Sequence, residues 1–253
     1  PPRGGGAGGF FWGGTPPTAP NQVMKEKKQL NCREILAWLK KQANPENVCG
    51  MARFGICSEN TLGVNIPVLR RLARETGKNH DLAGELWRSG IHEARILAAF
   101  VDDPKQVTEE QMEEWVLCFD SWDVCDQVCS NLFDRCAFGW KKAMEWPGRE
   151  EEFVRRAGFA LMACLAVHDK AAGDDKFLKL LPLIKKYAFD ERNFVKKAVN
   201  WALRQIGKRN ASLRQEAIGV ADKILTQKSK AARWIARDAL RELSRSDLFL
   251  HQR

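Results

Sequence analysis

The sequence predicts an all-α protein whose helices stack as a solenoid, and three observations carry that prediction. From Met24 onward apolar residues recur at helical spacing, with almost no alternating strand pattern. The helical stretches are short, broken at glycine, proline and asparagine. The run Phe153-Val154-Arg155-Arg156-Ala157 returns 41 residues later as Phe194-Val195-Lys196-Lys197-Ala198, and more weakly, after a further 40, as Trp234-Ile235-Ala236-Arg237. A period of this size with paired helices per unit means a HEAT-like α-solenoid of stacked antiparallel helix pairs, because no pair can bury its apolar face alone.

Residues 1–23 are rich in glycine and proline and lack a hydrophobic period, which predicts a disordered leader. The leader's glycine run has neither a strand before it nor a helix after it, so it is not a phosphate loop. One helical repeat domain is expected over 24–253. An apolar face runs from Leu30 to Gln42 and stops at Asn44-Pro45, and a second helix continues through Met51. Further helices are expected near 66–76, 80–89, 91–102, 108–117, 121–136, 150–168, 175–188, 191–207, 212–226 and 231–244. Pro67 falls where a helix start tolerates a missing N–H. Thr108-x-x-Gln111 has capping-box spacing.

Charge is uneven along the chain. The formal net charge is +9, yet residues 176–253 hold 19 Lys and Arg against 7 Asp and Glu, so the first 175 residues are net acidic. A concentrated basic half is the footprint of a polyanion partner. The eight cysteines lack paired CxxC knuckles, and no HExxH helix is present, so neither a disulfide framework nor a metal is expected. No apolar run approaches the roughly 20 residues of a membrane span. A soluble, non-secreted, cytoplasmic protein is expected, nucleoid-associated if bacterial.

The repeat places Arg156, Lys197 and Arg237 in the same slot of three successive units, which predicts a row of cations lining a concave basic groove. Lys197, Trp201, Arg204 and Lys208 are spaced 4, 3 and 4, on one helical face. Evenly spaced cations match a nucleic-acid backbone, whose neutralisation dominates affinity without reading sequence. In Ser121-Trp122-Asp123-Val124-Cys125-Asp126, Trp122 and Asp126 are one turn apart, offering an aromatic face beside a negative charge. His80, His92, His168 and His251 are scattered and read as structural or surface residues. Asp120 and Asp123 read as capping or ion-pair residues. Trp87, Trp115, Trp140, Trp146 and Trp234 read as inter-helix packing.

These segments, in this order, resemble the AlkD-type DNA alkylation repair glycosylases over most of residues 24–253. The resemblance implies that Asp126 is the catalytic aspartate, Trp122 the lesion-facing tryptophan and Trp201 a second aromatic wall. It places a phosphate-clamping role on Arg156. It also implies a monomer acting on duplex DNA with alkylated purines, without metal or cofactor, from the backbone side and with the base left largely stacked. Family members can carry two adjacent tryptophans before the aspartate; here Ser121 precedes a single Trp122, which bears on lesion contact. The alternative is a non-catalytic scaffold for DNA backbone or an acidic protein. The enzymatic reading requires Trp122, Asp126, Arg156 and Trp201 to converge on one patch, with Asp126 not locked to a buried arginine.

Overall fold

The computed structural model describes residues 30–245. The leader over 1–23 and His251 lie outside them. Among the described residues every regular element is helical. The α-helices are α1 (Cys32–Lys41), α2 (Pro45–Ala52), α3 (Ile66–Thr76), α4 (His80–Arg88), α5 (His92–Val101), α6 (Glu109–Leu117) and α7 (Trp122–Asn131). They continue as α8 (Gly139–Glu145), α9 (Glu152–His168), α10 (Asp174–Leu178), α11 (Leu181–Tyr187), α12 (Asn193–Gly207), α13 (Ala211–Leu225) and α14 (Lys230–Leu243). No helix among the described residues is long and apolar enough to cross a membrane.

The packing forms a ladder. Helix α3 packs on α5, α5 on α7, α7 on α9, α9 on α12 and α12 on α14, while α4, α8, α11 and α13 back α5, α9, α12 and α14. Helix α9 lies at the centre, and every residue from Arg156 to Ala166 is buried. A helix apolar on nearly all sides can exist only with neighbours all round it. Gly158 permits a close approach: a Cβ there would sit 2.4 Å from Cδ of Pro147. Large side chains fill the space between rungs. Trp87 and Trp115 stack with ring centroids 4.0 Å apart and planes 1° apart, and Trp146 is buried against Phe133.

Local sequence explains several helix ends. The Thr108 side chain accepts from the Gln111 N–H at 3.2 Å, and Asn31 with Glu34 forms a reciprocal capping box. Pro67 lies in the first turn of α3. Two expected helices are shorter than their periodicity. The 175–188 stretch is two helices, because Pro182 lacks an N–H and belongs to the first turn of α11. The 121–136 stretch ends at Asn131. The chain turns at Leu132 and runs through a 3-10 turn, Phe133–Arg135, that buries the Phe133 ring. Helix α8 follows, unanticipated, with Gly139 packed so closely that a Cβ would meet the Phe133 carbonyl at 2.6 Å.

Buried and partly buried carboxylates join separate elements. Glu93, at the start of α5, accepts the backbone N–H groups of Leu62, Gly63 and Val64 at 2.9, 2.6 and 3.2 Å. Asp102 and Asp123 pair with His80 and His92 at 2.7 and 2.8 Å, and Asp134 pairs with His168. These three histidines are therefore structural, as their scatter in the sequence suggested.

Candidate nucleic-acid site

Helix α7 begins the site. Its first residue is Trp122 and Asp126 follows one turn later, so both point toward α9 and α12 across the ladder. The Trp122 indole N–H donates to the carbonyl of Phe54 at 3.0 Å, which ties the ring to the turn after α2. Gly55 makes that turn with φ +76°, and a Cβ there would lie 2.7 Å from the Phe194 ring. Only glycine accommodates both demands. Phe194 stacks in turn on Phe153, with centroids 5.6 Å apart.

The result is one open cleft of about 290 Å³, lined by Phe54, Trp122, Asp126, Arg156, Phe194, Lys197 and Trp201. Four aromatic rings make its walls, and one carboxylate faces into them. Sequence reasoning required Trp122, Asp126, Arg156 and Trp201 to converge, and they line one cleft, joined by Lys197 from the expected cation row. It missed two wall residues. Phe194 appears in the sequence only as part of the repeated run, and Phe54 sits on a turn outside any helical period, signalled only by a large aromatic next to a glycine.

Arg156 departs from expectation. It is 5% exposed, and its Nε and Nη2 donate to Oδ1 and Oδ2 of Asp126 at 3.0 and 2.7 Å. Its Nη1 donates to the Phe194 carbonyl at 2.5 Å. The guanidinium expected to hold a phosphate is thus engaged by the protein, and Asp126 is paired with a buried arginine. Burial pushes the Asp126 carboxyl up, and the charge and hydrogen bonds of Arg156 oppose that shift. Both carboxylate oxygens accept from the guanidinium, which is the geometry of the ionised form. The carboxylate keeps 20% of its side-chain surface, toward the cleft.

The rest of the cationic stripe divides. Lys197 is exposed at the cleft. Arg204 and Lys208 turn instead to Glu242 on α14, at 2.5 and 2.7 Å. The spacing of 4, 3 and 4 is one face of α12, but its C-terminal half meets a carboxylate from the next rung. Arg237 occupies the following rung as expected, beside a second cleft on α14. Trp234 is a correction: it is 41% exposed rather than packed between helices. Asp123 and Asp120 are ion-pair residues, partnered by His92 and Arg95. Among the described residues no His, Cys, Asp and Glu side chains cluster as a metal site.

A family model described as DNA alkylation repair enzyme matches residues 35–243. The chain belongs to this family. The match spans α1 to α14 and includes every residue of the cleft. A solved structure described as "A new family of proteins related to the HEAT-like repeat DNA glycosylases with affinity for branched DNA structures" is similar to this member, with a TM-score of 0.70 at 19% identity. The likeness covers 84% of this chain and 95% of that one, and it shows a HEAT-like fold. No curated protein matches this family member.

Proposed function

We propose that this protein is a monofunctional DNA glycosylase that hydrolyses the N-glycosidic bond of cationic N3- or N7-alkylated purines in duplex DNA. The observation that carries the reading is the meeting of Trp122, Trp201 and Asp126 in one cleft, from helices two rungs apart. An alkylated purine is already positively charged and leaves as a neutral base. As its bond to the sugar stretches, positive charge grows on the deoxyribose. Water then adds its oxygen to C1′ and releases a proton. A fixed carboxylate stabilises the growing charge, and indole faces favour the cationic nucleotide.

The pairing of Asp126 with Arg156 bears directly on this chemistry. A carboxylate buried without a partner tends to take up a proton and lose its charge. Arg156 holds Asp126 ionised and in one rotamer, leaving the second lone pair of each oxygen free. Pre-organised charge is what stabilises a developing cation. The pairing goes against the requirement that Asp126 not be locked to a buried arginine. It counts against Asp126 as a base, and the enzymatic reading rests on a role for its charge alone.

A second reading rests on the same pair. Asp126 and Arg156 cancel, so Lys197 leaves the cleft with a net positive charge, which suits a phosphate better than a cationic base. On that reading the protein binds DNA backbone without hydrolysis. Base release from a duplex carrying one 7-methylguanine, scored as abasic sites, separates the two. Release by the natural protein and its loss in Asp126→Asn with binding retained supports the glycosylase. Binding without release on 7-methylguanine, 3-methyladenine and bulkier adducts supports the second reading.

A further inference from the structure

The aromatic residue that heads each repeat has two different fates. Phe153 and Phe194, one repeat apart, stack on each other. Trp234, in the next repeat, has no aromatic partner among the described residues; it is 41% exposed, with Lys196 Nζ 5.1 Å from its ring centroid. It borders an open cleft of about 460 Å³ with Lys230, Arg233, Arg237 and Arg241, against the single carboxylate of Asp238. A helix face that met only water would be polar. A large indole among five cations does not fit that description.

We infer that the α14 face is a binding site for an unpaired DNA strand, with Trp234 stacking a base and the surrounding cations holding its phosphates. Every base has a π face, so an exposed indole binds unpaired nucleotides with little regard to sequence, while paired bases are hidden in the duplex. The surplus of cations over carboxylates matches a polyphosphate backbone. Lys196 joins the two sites: it reaches Trp234, and its neighbour Lys197 lines the α7–α12 cleft. A duplex lying on that cleft would present a frayed or branched arm to α14. The site does not depend on base hydrolysis.

The test is fluorescence anisotropy of the full chain on a blunt duplex and on a fork with the same paired sequence and thymidine arms. The natural protein should prefer the fork. Trp234→Ala should weaken fork binding about tenfold and leave blunt-duplex binding within about twofold, while Trp234→Phe retains most of the preference. Arg233→Gln should lower the salt dependence of fork binding by about one phosphate contact. Absence of a fork preference in the natural protein, equal losses on both DNAs in Trp234→Ala, or an unchanged salt slope in Arg233→Gln would overturn the inference. Thermal unfolding of each variant separates a binding defect from a folding one. Base release is scored on the same samples, so failure of glycosylase activity and loss of fork preference are read independently.

Discussion

Arg156 grips Asp126 with two parallel hydrogen bonds, Nε to Oδ1 at 3.0 Å and Nη2 to Oδ2 at 2.7 Å, beneath the aromatic walls of the cleft. Replacing Arg156 with alanine would leave a largely buried carboxylate without its partner, a loss of about 3 kcal/mol. Chemical denaturation of Arg156→Ala should show that loss. The double variant Arg156→Ala/Asp126→Asn should recover part of it, because no buried charge remains.

For the base release proposed above, the same pair sets a pH dependence. The Asp126 pKa is raised by burial against the pull of Arg156, so activity that needs the carboxylate falls with acidification at a pH above the ordinary carboxylate range. Single-turnover release across the acidic range should show this limb. Arg156→Lys, which replaces a bidentate partner with a point charge, should move it higher.

Phe54 should matter to binding and not to folding. It is 72% exposed, so Phe54→Ala should change stability by no more than about 0.5 kcal/mol. Loss of one wall of the cleft should weaken binding of the proposed alkylated nucleotide roughly tenfold. Trp122→Phe tests the neighbouring contact. It removes the indole donor to the Phe54 carbonyl and should cost about 1 kcal/mol of stability while keeping an aromatic wall. Trp122→Ala should reduce base release further than Trp122→Phe.

The buried His92–Asp123 pair predicts an optimum of stability on the acid side of neutral. Burial works against the His92 imidazolium, but the hydrogen bond and charge of Asp123, with Glu93 and Asp120 nearby, outweigh it and raise the His92 pKa above 6.5. Burial likewise opposes the Asp123 carboxylate, yet His92 lowers its pKa below 3.8. The His92 contribution is complete below pH 6.5 and is lost as pH rises through the raised value. The Asp123 contribution is complete above pH 3.8 and is lost as pH falls through the lowered value. The melting temperature should therefore decline from weakly acidic to alkaline pH, and His92→Gln should flatten that decline.

Much of the site was legible in the sequence because a helical repeat is a local signal. The 41- and 40-residue offsets put Arg156, Lys197 and Arg237 on successive rungs, and a one-turn spacing put Trp122 beside Asp126. What a side chain meets across the ladder is not a local property. The spacing that grouped Arg204 and Lys208 with Lys197 could not show that Glu242, on the next rung, faces them.

The sequence by itself determined most of the helices, though not α8 or the break at Pro182, and the column in which the candidate residues lie. Apolar periodicity and backbone chemistry act within a few residues and can be read along the chain. The tertiary structure alone decided that Arg156 lies buried against Asp126, that Phe54 arrives from a turn 68 residues before Trp122, and that Trp234 stands in the open. Those outcomes depend on which rung packs on which, and on the space left once the larger side chains have been buried.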